Sequence, residues 1–370
     1  VYSDPDNPWI QEIDLDGRVQ WQWGYVDGEA GGDDFTYSQD EFRRMRLGGG
    51  VKFLQWFEAK GHARWFDDDH ARGGNSRGPE FLNMWDLYLK FNAKKAFGIE
   101  GVDALKIGYG SREVNSAEEW NTSSKKIKTV ERSAIANKIW PFDTRFSNPT
   151  GVWVEGAKGN FDAQLGVFST TQADSLASWN DGQLYYAKLE YDFSEGSGFD
   201  LAEAFIAGFY QDVDITDDRL GGGVEGTGSA AVRLGKDRWA VRLNAILGEN
   251  GDQTNAAREG SFWGFVVIPT YWLIEDKLEA VASYQYQGAE EEQGIRINSR
   301  YVRRASADRG VAIPNGGRGD EHHSIYGGLN LYLCSDNVKL MAGVQYDEIT
   351  SDGSDVFDGW TTYLAFRTFF

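Results

Sequence analysis

The sequence has little of what stabilises small secreted domains or builds membrane helices. Among its 370 residues there is one cysteine, Cys334, so no disulfide can form within the chain. No run of about 18 apolar residues occurs, which excludes a transmembrane helix. Basic residues are scarce as well, since 37 Lys and Arg stand against 57 Asp and Glu, for a net charge of −20. So acidic a chain is a poor partner for nucleic acid, because neutralising phosphates requires a basic surface.

Aromatic residues and a two-residue alternation are what the sequence has in abundance. Aromatic residues make up 14% of the chain, which argues against disorder despite the charge. Arg242 and Asn244 alternate with Val241, Leu243 and Ala245, and most other segments follow the same pattern. One apolar face and one polar face along each segment indicate β-strands rather than helices.

The connections between these segments are of two kinds. A tight turn is expected around Asn92–Asp103, whereas Asp27–Asp40, Gln287–Glu321 and Glu348–Asp358 are expected to be long, acidic, glycine-rich loops. Short turns at one end and long loops at the other are typical of outer-membrane barrels, which also have an even number of strands. The pattern predicts one all-β domain over residues 1–370, an antiparallel transmembrane β-barrel of about 16 strands with both termini in the periplasm.

A soluble β-sandwich also alternates and is the competing interpretation. In functional terms it would be a secreted carbohydrate-binding or surface protein that uses exposed aromatic rings to stack on sugars. Aromatic residues at the ends of the apolar faces, such as Trp21, Trp23 and Tyr346, fit the interfacial girdles of a barrel better. The terminal aromatic strand, which ends at Phe370, also favours the barrel.

Two segments resemble a known family. Glu41–Trp65 contains the sequence FRR, and Leu105–Trp140 contains TSSK at Thr122–Lys125 followed by ERSA at Glu131–Ala134. Both resemble the porin O/P family, the phosphate- and pyrophosphate-selective outer-membrane porins of Gram-negative bacteria. The resemblance implies a 16-stranded homotrimeric porin whose third external loop, about residues 112–150, folds into the lumen as a constriction.

The same resemblance suggests roles for individual residues. Arg18 matches a lumen-facing arginine of the family, and Arg43 and Arg44 match the paired arginines of its FRR motif, which guide anions along the pore. The chain departs from the family at Trp120, where phosphate-selective members have a lysine two residues before TSSK. The central anion site is therefore expected to be missing or remodelled.

The charge of the predicted constriction segment also indicates an anion preference, and this argument does not depend on the family resemblance. Between Asn121 and Arg145 there are six basic residues against two acidic ones, within an acidic chain. Rings of Lys and Arg are the usual device of anion pores, so Lys125, Lys126, Lys128 and Arg132 are predicted to line the anion path. The alternation adds further charges that are predicted to face the lumen, namely Lys60, Arg64, Lys106, Arg242 and Lys339. The alternatives are that wall charges pair across neighbouring strands and that the loop segment is a short water-facing helix.

No enzyme motif and no cofactor site is recognised. Asp67, Asp68 and Asp69 are weak candidates for loosely bound Ca²⁺, because hard cations prefer oxygen ligands. The expected partners are small hydrophilic solutes and anions in the lumen, with lipid and lipopolysaccharide around the barrel.

The resulting hypothesis is a porin of the bacterial outer membrane for passive diffusion. It includes a modest anion preference, with phosphate as a candidate. A general non-selective porin, or one that prefers cations, remains the alternative within this class.

Overall fold

Antiparallel strands pair in sequence order around a closed barrel. The computed structural model describes residues 1–67, 81–142, 148–171, 178–213, 220, 223–253 and 255–370. Across these residues the sixteen barrel strands are β1 Ile10–Ala30, β2 Asp33–Phe53, β3 Phe57–Asp67, β4 Asn83–Asn92, β5 Ala104–Ser111, β6 Thr150–Lys158, β7 Phe161–Thr171, β8 Ser178–Asp192, β9 Leu201–Asp212, β10 Val224–Lys236, β11 Trp239–Asn250, β12 Gly260–Ile274, β13 Leu278–Ala289, β14 Glu321–Tyr332, β15 Val338–Ser351 and β16 Ser354–Phe369.

The last strand closes the barrel by pairing with the first. Phe366 of β16 lies opposite Trp21 of β1, and the antiparallel register continues from Asp358 to Phe369. Among the sixteen described strands, each has a partner on both sides, which is the condition for a sheet to cross a bilayer. An even number of strands also returns the chain to the end of the barrel at which it started. The predicted all-β, 16-stranded barrel is confirmed.

A few short elements lie outside the barrel wall. A two-residue strand, Tyr2–Ser3, pairs with β1, and a small ribbon joins Ile295–Arg296 to Arg318–Gly319. The helices are α1 Ala93–Phe97, α2 Glu118–Asn121, α3 Ala134–Lys138 and α4 Arg300–Arg309, with 3₁₀ turns at Ala256–Arg258 and Pro314–Gly316. None of the helices in the described ranges is long and apolar enough to cross a membrane.

The side chains alternate across the wall as the sequence pattern predicts. Leu243, Leu329 and Leu340 are exposed on the outer surface, whereas Arg242 and Lys339 next to them make contacts inside the barrel. Trp21, Trp23 and Tyr284 share the outer face, and Arg18 reaches inward. Successive side chains of a regular strand point to opposite faces, so the orientation of one residue fixes that of the residues next to it in the strand.

Two expected loops are strands instead. Asp27–Asp40 and Glu348–Asp358 belong mostly to the ends of long strands, and they turn through Gly31–Gly32 and Asp352–Gly353. All four turn residues have positive φ angles, which tight two-residue hairpin turns require. The sequence interpretation was therefore wrong at these two connections.

The remaining long connections meet at one end of the barrel. The long-loop end has the connections 68–82, 112–149, 172–177, 213–223, 251–259 and 290–320 as well as the two tight hairpins. The opposite, short-turn end has the connections 54–56, 93–103, 159–160, 193–200, 237–238, 275–277 and 333–337. The expected tight turn at Asn92–Asp103 contains the helix α1. The asymmetry that suggested a porin is thus present, although it is less regular than the sequence indicated.

Apolar packing occurs inside the barrel as well as on its outer surface. One buried cluster contains Ile135 and Trp120 of the connection 112–149 together with wall residues such as Trp153 and Phe262. A second contains Tyr301 and Val302 of α4 with Val26 of β1. Buried apolar area of this kind holds internal loops against the wall.

The outward orientation of Leu243 leads to a test of the register. Leu243→Arg places a charge on the lipid face at mid-wall and should destabilise the barrel by about 2–4 kcal/mol in a bilayer. Leu273→Arg, near the end of β12, should have an effect of about 1 kcal/mol or less, because the charge reaches the interface. Urea unfolding from lipid vesicles measures both values. Equal effects of the two substitutions would contradict the assigned orientation.

Candidate functional site

The connection between β5 and β6, residues 112–149, is the segment for which the resemblance implies a constriction, and it is called the constriction loop below. It is described over residues 112–142 and 148–149 and includes α2 and α3. Inward-facing side chains of the wall bind its backbone carbonyls. Lys339 Nζ donates to Ile127 O at 2.7 Å, and Asn330 Nδ2 donates to Lys128 O at 2.9 Å. Arg367 donates to the carbonyls of Ser124 and Val130. These contacts place the loop inside the lumen.

Three of the four cations predicted on this loop have partners. Lys125 Nζ lies 3.2 Å from Asp16 Oδ1 of β1, and Lys128 Nζ lies 2.8 Å from Glu279 Oε1 of β13. Arg132 is buried and donates to two backbone carbonyls of its own loop, at 2.7 and 3.0 Å. Lys126 is exposed on the loop. The loop cations are thus brought together, but much of their charge is balanced by the wall.

The predicted wall arginines lie beside the same loop. Arg18 donates to Ser124 Oγ at 2.8 Å, and Arg43 Nε lies 2.8 Å from Glu131 Oε1. Arg44 donates to Gln20 Oε1 at 2.9 Å. These arginines therefore bind the constriction loop or the wall around it.

A β-bulge explains how two consecutive arginines both face inward. Gln20 lies opposite Arg44 and Trp21 lies opposite Phe42, so Arg43 is an extra residue on β2. In a regular strand one of two neighbours would point to lipid, whereas a bulge redirects a side chain. The FRR sequence gave no sign of this irregularity.

The further lumen charges have mixed surroundings. Lys106 Nζ lies 3.4 Å from Glu58 Oε2, and Arg242 NH1 donates to Thr122 Oγ1 of the constriction loop at 3.2 Å. Lys339 is fully buried beneath the loop. Lys60 and Arg64 are half-buried. Charge pairing within the wall therefore applies to Lys106, although its partner lies two strands away rather than on a neighbouring strand as the alternative from the sequence had it, and Lys339 binds the loop instead.

Stacked aromatic rings connect the two arms of the constriction loop to the wall. The rings of Trp120 and Trp140 stack with centroids 3.9 Å apart, and Trp85 of β4 lies 5.6 Å from Trp140. The Arg132 guanidinium lies 4.0 Å above Trp120, and Arg46 lies 3.4 Å above Trp85. Trp120 is buried in this stack, so a packing residue stands at the position where the resemblance implied a lysine.

Glu131 of the loop is a buried carboxylate with arginine partners on the wall and on a second loop. Burial by itself raises the pKa of its carboxyl, but Arg43 and Arg300 outweigh that effect and hold the pKa below its usual range. The carboxylate also accepts the Gln22 amide at 2.8 Å. Glu131 is therefore an ionised group that joins the loop to two other parts of the molecule.

The structure does not describe the weak metal candidates, so the calcium prediction stays a prediction. Asp68 and Asp69 lie outside the described residues, as does the side chain of Asp67. Among the residues that are described, no group of three or more His, Cys, Asp or Glu is arranged to hold a metal ion.

Sequence analysis missed a second basic segment. Residues 294–319 contain six arginines and one acidic residue, Asp308, which is a greater local excess than in the constriction segment. The segment includes α4, and Arg300 and Arg304 of this helix both bind Glu41 of β2 at 2.8 Å. A count of local charge along the chain would have found it.

Glu119 provides a test of loop stability. Burial raises the pKa of its carboxyl to about 7, with Ser133 opposing and Glu118 reinforcing the effect. A raised folded-state pKa means that the protonated form stabilises the loop below the ordinary carboxyl pKa, and that this contribution is lost as pH rises through 7. A less stable loop fluctuates more, so the open-channel current noise of the wild type should be greater at about pH 8.5 than at about pH 5.5. The Glu119→Gln channel cannot lose a proton at this position, so its noise should be low at both pH values.

The matched control for this prediction is Glu100→Gln, which changes an exposed carboxylate at the short-turn end. It should keep the pH dependence of the wild-type channel. Noise that is independent of pH in the wild type would contradict the role of Glu119.

A sixteen-stranded antiparallel barrel with a loop inside its lumen is the architecture of outer-membrane porins. The sequence model of the family described as phosphate-selective porin O and P matches residues 13–255, more than half of the chain. The chain belongs to that family, as its resemblance predicted. It is therefore an outer-membrane porin, and the family points to a channel rather than an enzyme.

Solved structures share the fold at low sequence identity. The outer-membrane channel DcaP of Acinetobacter baumannii is 14% identical with a TM-score of 0.58, and the match covers 100% of both chains. An anion-selective porin from Comamonas acidovorans is 13% identical with a TM-score of 0.59, covering 97% of this chain and 99% of that one. A loop-deletion mutant of OmpT from Vibrio cholerae is 11% identical with a TM-score of 0.59, with the same coverage. No curated protein sequence matches the chain.

Proposed function

We propose that this porin admits small hydrophilic solutes by passive diffusion and prefers anions modestly. The observation that carries the proposal is the charge of the two segments that reach inside the barrel. In a chain of −20, the constriction segment between Asn121 and Arg145 has six basic against two acidic residues, and residues 294–319 have six against one. Basic groups in a narrow, low-dielectric passage raise the local concentration of anions.

Pairing inside the lumen explains why the preference is modest. Asp16, Glu279 and Glu41 of the wall and Glu131 of the loop each lie beside a cation of the inward segments. Trp120 is stacked rather than presented to the lumen. The tight phosphate selectivity in the family's description is therefore not extended to this chain.

The acidic outer loops oppose anion entry only weakly. Screening limits their reach to about 8 Å at physiological salt. Charges that line a narrow passage act at shorter range and in a lower dielectric, so the lining dominates.

The assembly and its orientation are part of the same proposal. We place the short-turn end and both termini in the periplasm, because bacterial barrels have their short turns there. A homotrimer is supported by the trimer form of Vibrio cholerae OmpT, which is 12% identical with a TM-score of 0.51. Ala59, Gly61 and Ala63 on the outer face of β3 are a candidate subunit contact, since small residues permit close approach. Lipid and lipopolysaccharide would cover the remaining outer wall.

Reversal potentials test the proposal. The purified porin is inserted into a planar bilayer under a potassium chloride gradient, and the sign of the zero-current voltage reports the preferred ion. We expect a modest excess of chloride over potassium permeability. A strongly cation-selective channel would instead support a general acidic-lumen porin.

A further inference from the structure

A second loop enters the lumen beside the constriction loop. It is the connection 290–320, whose helix α4 has Tyr301, Val302 and Ala305 fully buried. The Tyr301 ring lies on Gly24 of β1, where a Cβ atom would overlap it, and 5.9 Å from the ring of Tyr363 of β16. Gly24 shares the inward face of β1 with Gln22, which donates to the Tyr301 hydroxyl at 3.1 Å. The helix therefore packs on the inner wall rather than outside the barrel.

One wall carboxylate holds this helix in place. Glu41 is fully buried and accepts Arg300 NH1 and Arg304 NH2 at 2.8 Å each. It also accepts the Tyr301 hydroxyl at 3.3 Å. Three side chains from one face of α4 thus converge on a single anion of β2. Removing one partner of such a buried network is strongly unfavourable, because the remaining guanidinium groups lose their counter-charge.

The helix is also joined to the constriction loop beneath it. Arg300 Nε lies 3.8 Å from Glu131 Oε1, and Asn298 Nδ2 donates to Arg132 O at 2.9 Å. Along β1, Gln20 binds the constriction loop, Gln22 binds both loops, and Gly24 lies under α4. The second loop therefore lies on the long-loop side of the constriction loop, against the wall formed by β16, β1 and β2.

A helix packed on one part of the inner wall narrows the lumen from that side. An α-helix with its side chains is about 10–12 Å across, so α4 covers a substantial part of the lumen of a 16-stranded barrel. Charged side chains remain on the wall strands next to this helix, among them Lys60 of β3 and the Lys90–Glu155 pair between β4 and β6.

We propose that loop 290–320 is a second constriction element, and that Glu41 is the positioning residue that holds it in the lumen and thereby sets the conductance and size limit of the pore. The proposal rests on the proposed function as a diffusion channel. It assigns to Glu41 no contact with solutes, since the side chain acts through α4. The size of admitted solutes then depends on two loops rather than one.

Truncating the loop tests the first half of the proposal. The ribbon Ile295–Arg296 with Arg318–Gly319 is already antiparallel, so residues 297–317 can be replaced by Asn-Gly, which forms a two-residue hairpin turn. We expect single-channel conductance to rise about twofold, because the area covered by one helix becomes available to water. Liposome swelling should show entry of larger sugars than the wild type admits. Unchanged conductance and an unchanged size limit would overturn the proposal.

Substituting Glu41 tests the second half. Glu41→Gln should raise conductance in the same direction as the truncation, and Glu41→Asp should restore much of the wild-type value. The matched control is Asp40→Asn, which changes the neighbouring, outward-facing carboxylate that accepts the Trp21 indole N–H at 3.3 Å. A Glu41→Gln channel identical to the wild type would overturn the role of Glu41 even if the truncation widens the pore.

Heat-modifiability on gels and circular dichroism show whether each variant still forms a barrel. Failure of this proposal can be told apart from failure of the proposed anion preference. A wild-type channel that prefers cations contradicts the anion preference, yet it still reports whether truncation widens the pore. Barrels that form no channel in any variant contradict both proposals.

Discussion

Replacing Lys125, Lys126 and Lys128 with glutamate is expected to reverse the proposed anion preference and make the channel prefer cations. Lys125 and Lys128 are paired with Asp16 and Glu279, so each reversal also places two carboxylates together. A passage in a low-dielectric barrel responds strongly to its own lining. We expect the chloride-to-potassium permeability ratio to fall by roughly tenfold, measured as a reversal potential under a salt gradient.

Three further variants separate the causes of this shift. Lys126→Glu alone changes an exposed cation and should account for part of the change without breaking a pair. The triple change to glutamine should give an intermediate value. Arg238→Glu, on an exposed turn at the short-turn end, should leave selectivity unchanged. If the triple glutamate variant behaves like the wild type, the constriction loop does not set selectivity.

Replacing Trp120 with the lysine that the family resemblance implied is expected to disorder the constriction loop rather than create a phosphate site. Trp120 is stacked on Trp140 at 3.9 Å and beneath the Arg132 guanidinium at 4.0 Å. Replacing a buried tryptophan with a small residue typically lowers the free energy of unfolding by about 3–5 kcal/mol. A lysine there also brings a second cation next to Arg132, which burial makes more unfavourable. The loop should then fluctuate between its packed position and others.

The expected readout of Trp120→Lys is a noisy channel whose chloride current inorganic phosphate does not block. Trp120→Phe keeps an aromatic ring against Trp140 and serves as the matched control, with noise close to that of the wild type. A quiet Trp120→Lys channel that phosphate blocks would show that the lysine reaches the lumen. In that case the stacked rings would not determine the position of the loop.

The loops show where sequence patterns lose their information. Asp27–Asp40 is acidic and glycine-rich, and it was interpreted as a loop although it forms the paired ends of β1 and β2. Strands that contact lipid have an apolar outer face. The outer face of this hairpin is polar, with Asp34, Thr36 and Ser38 exposed, and its apolar side chains Phe35 and Tyr37 point inward, so it lacks that signal. The helix α4 was missed for a related reason, because its apolar partners come from β1, β2 and β16 rather than from its own neighbours in sequence.

Charge pairing could not be inferred from local composition either. Lys125 and Asp16 are 109 residues apart, and Lys128 and Glu279 are 151 residues apart. The sequence correctly marked the segment between Asn121 and Arg145 as basic, but the residues that neutralise it depend on which strands the loop crosses. Coulombic interactions depend on distance in space, and closure of the barrel determines that distance.

The sequence by itself determined the class of protein, the sixteen strands, the inward and outward faces at positions such as Arg242 and Leu243, and the family. Each of these follows from a two-residue period or a local motif, which neighbouring residues define. The tertiary structure alone decided that Arg43 and Arg44 both face inward through a bulge, that Trp120 is packed rather than presented, and that Glu41 anchors a second loop. Those features depend on contacts between residues distant in the chain, and only the closed barrel brings such residues together.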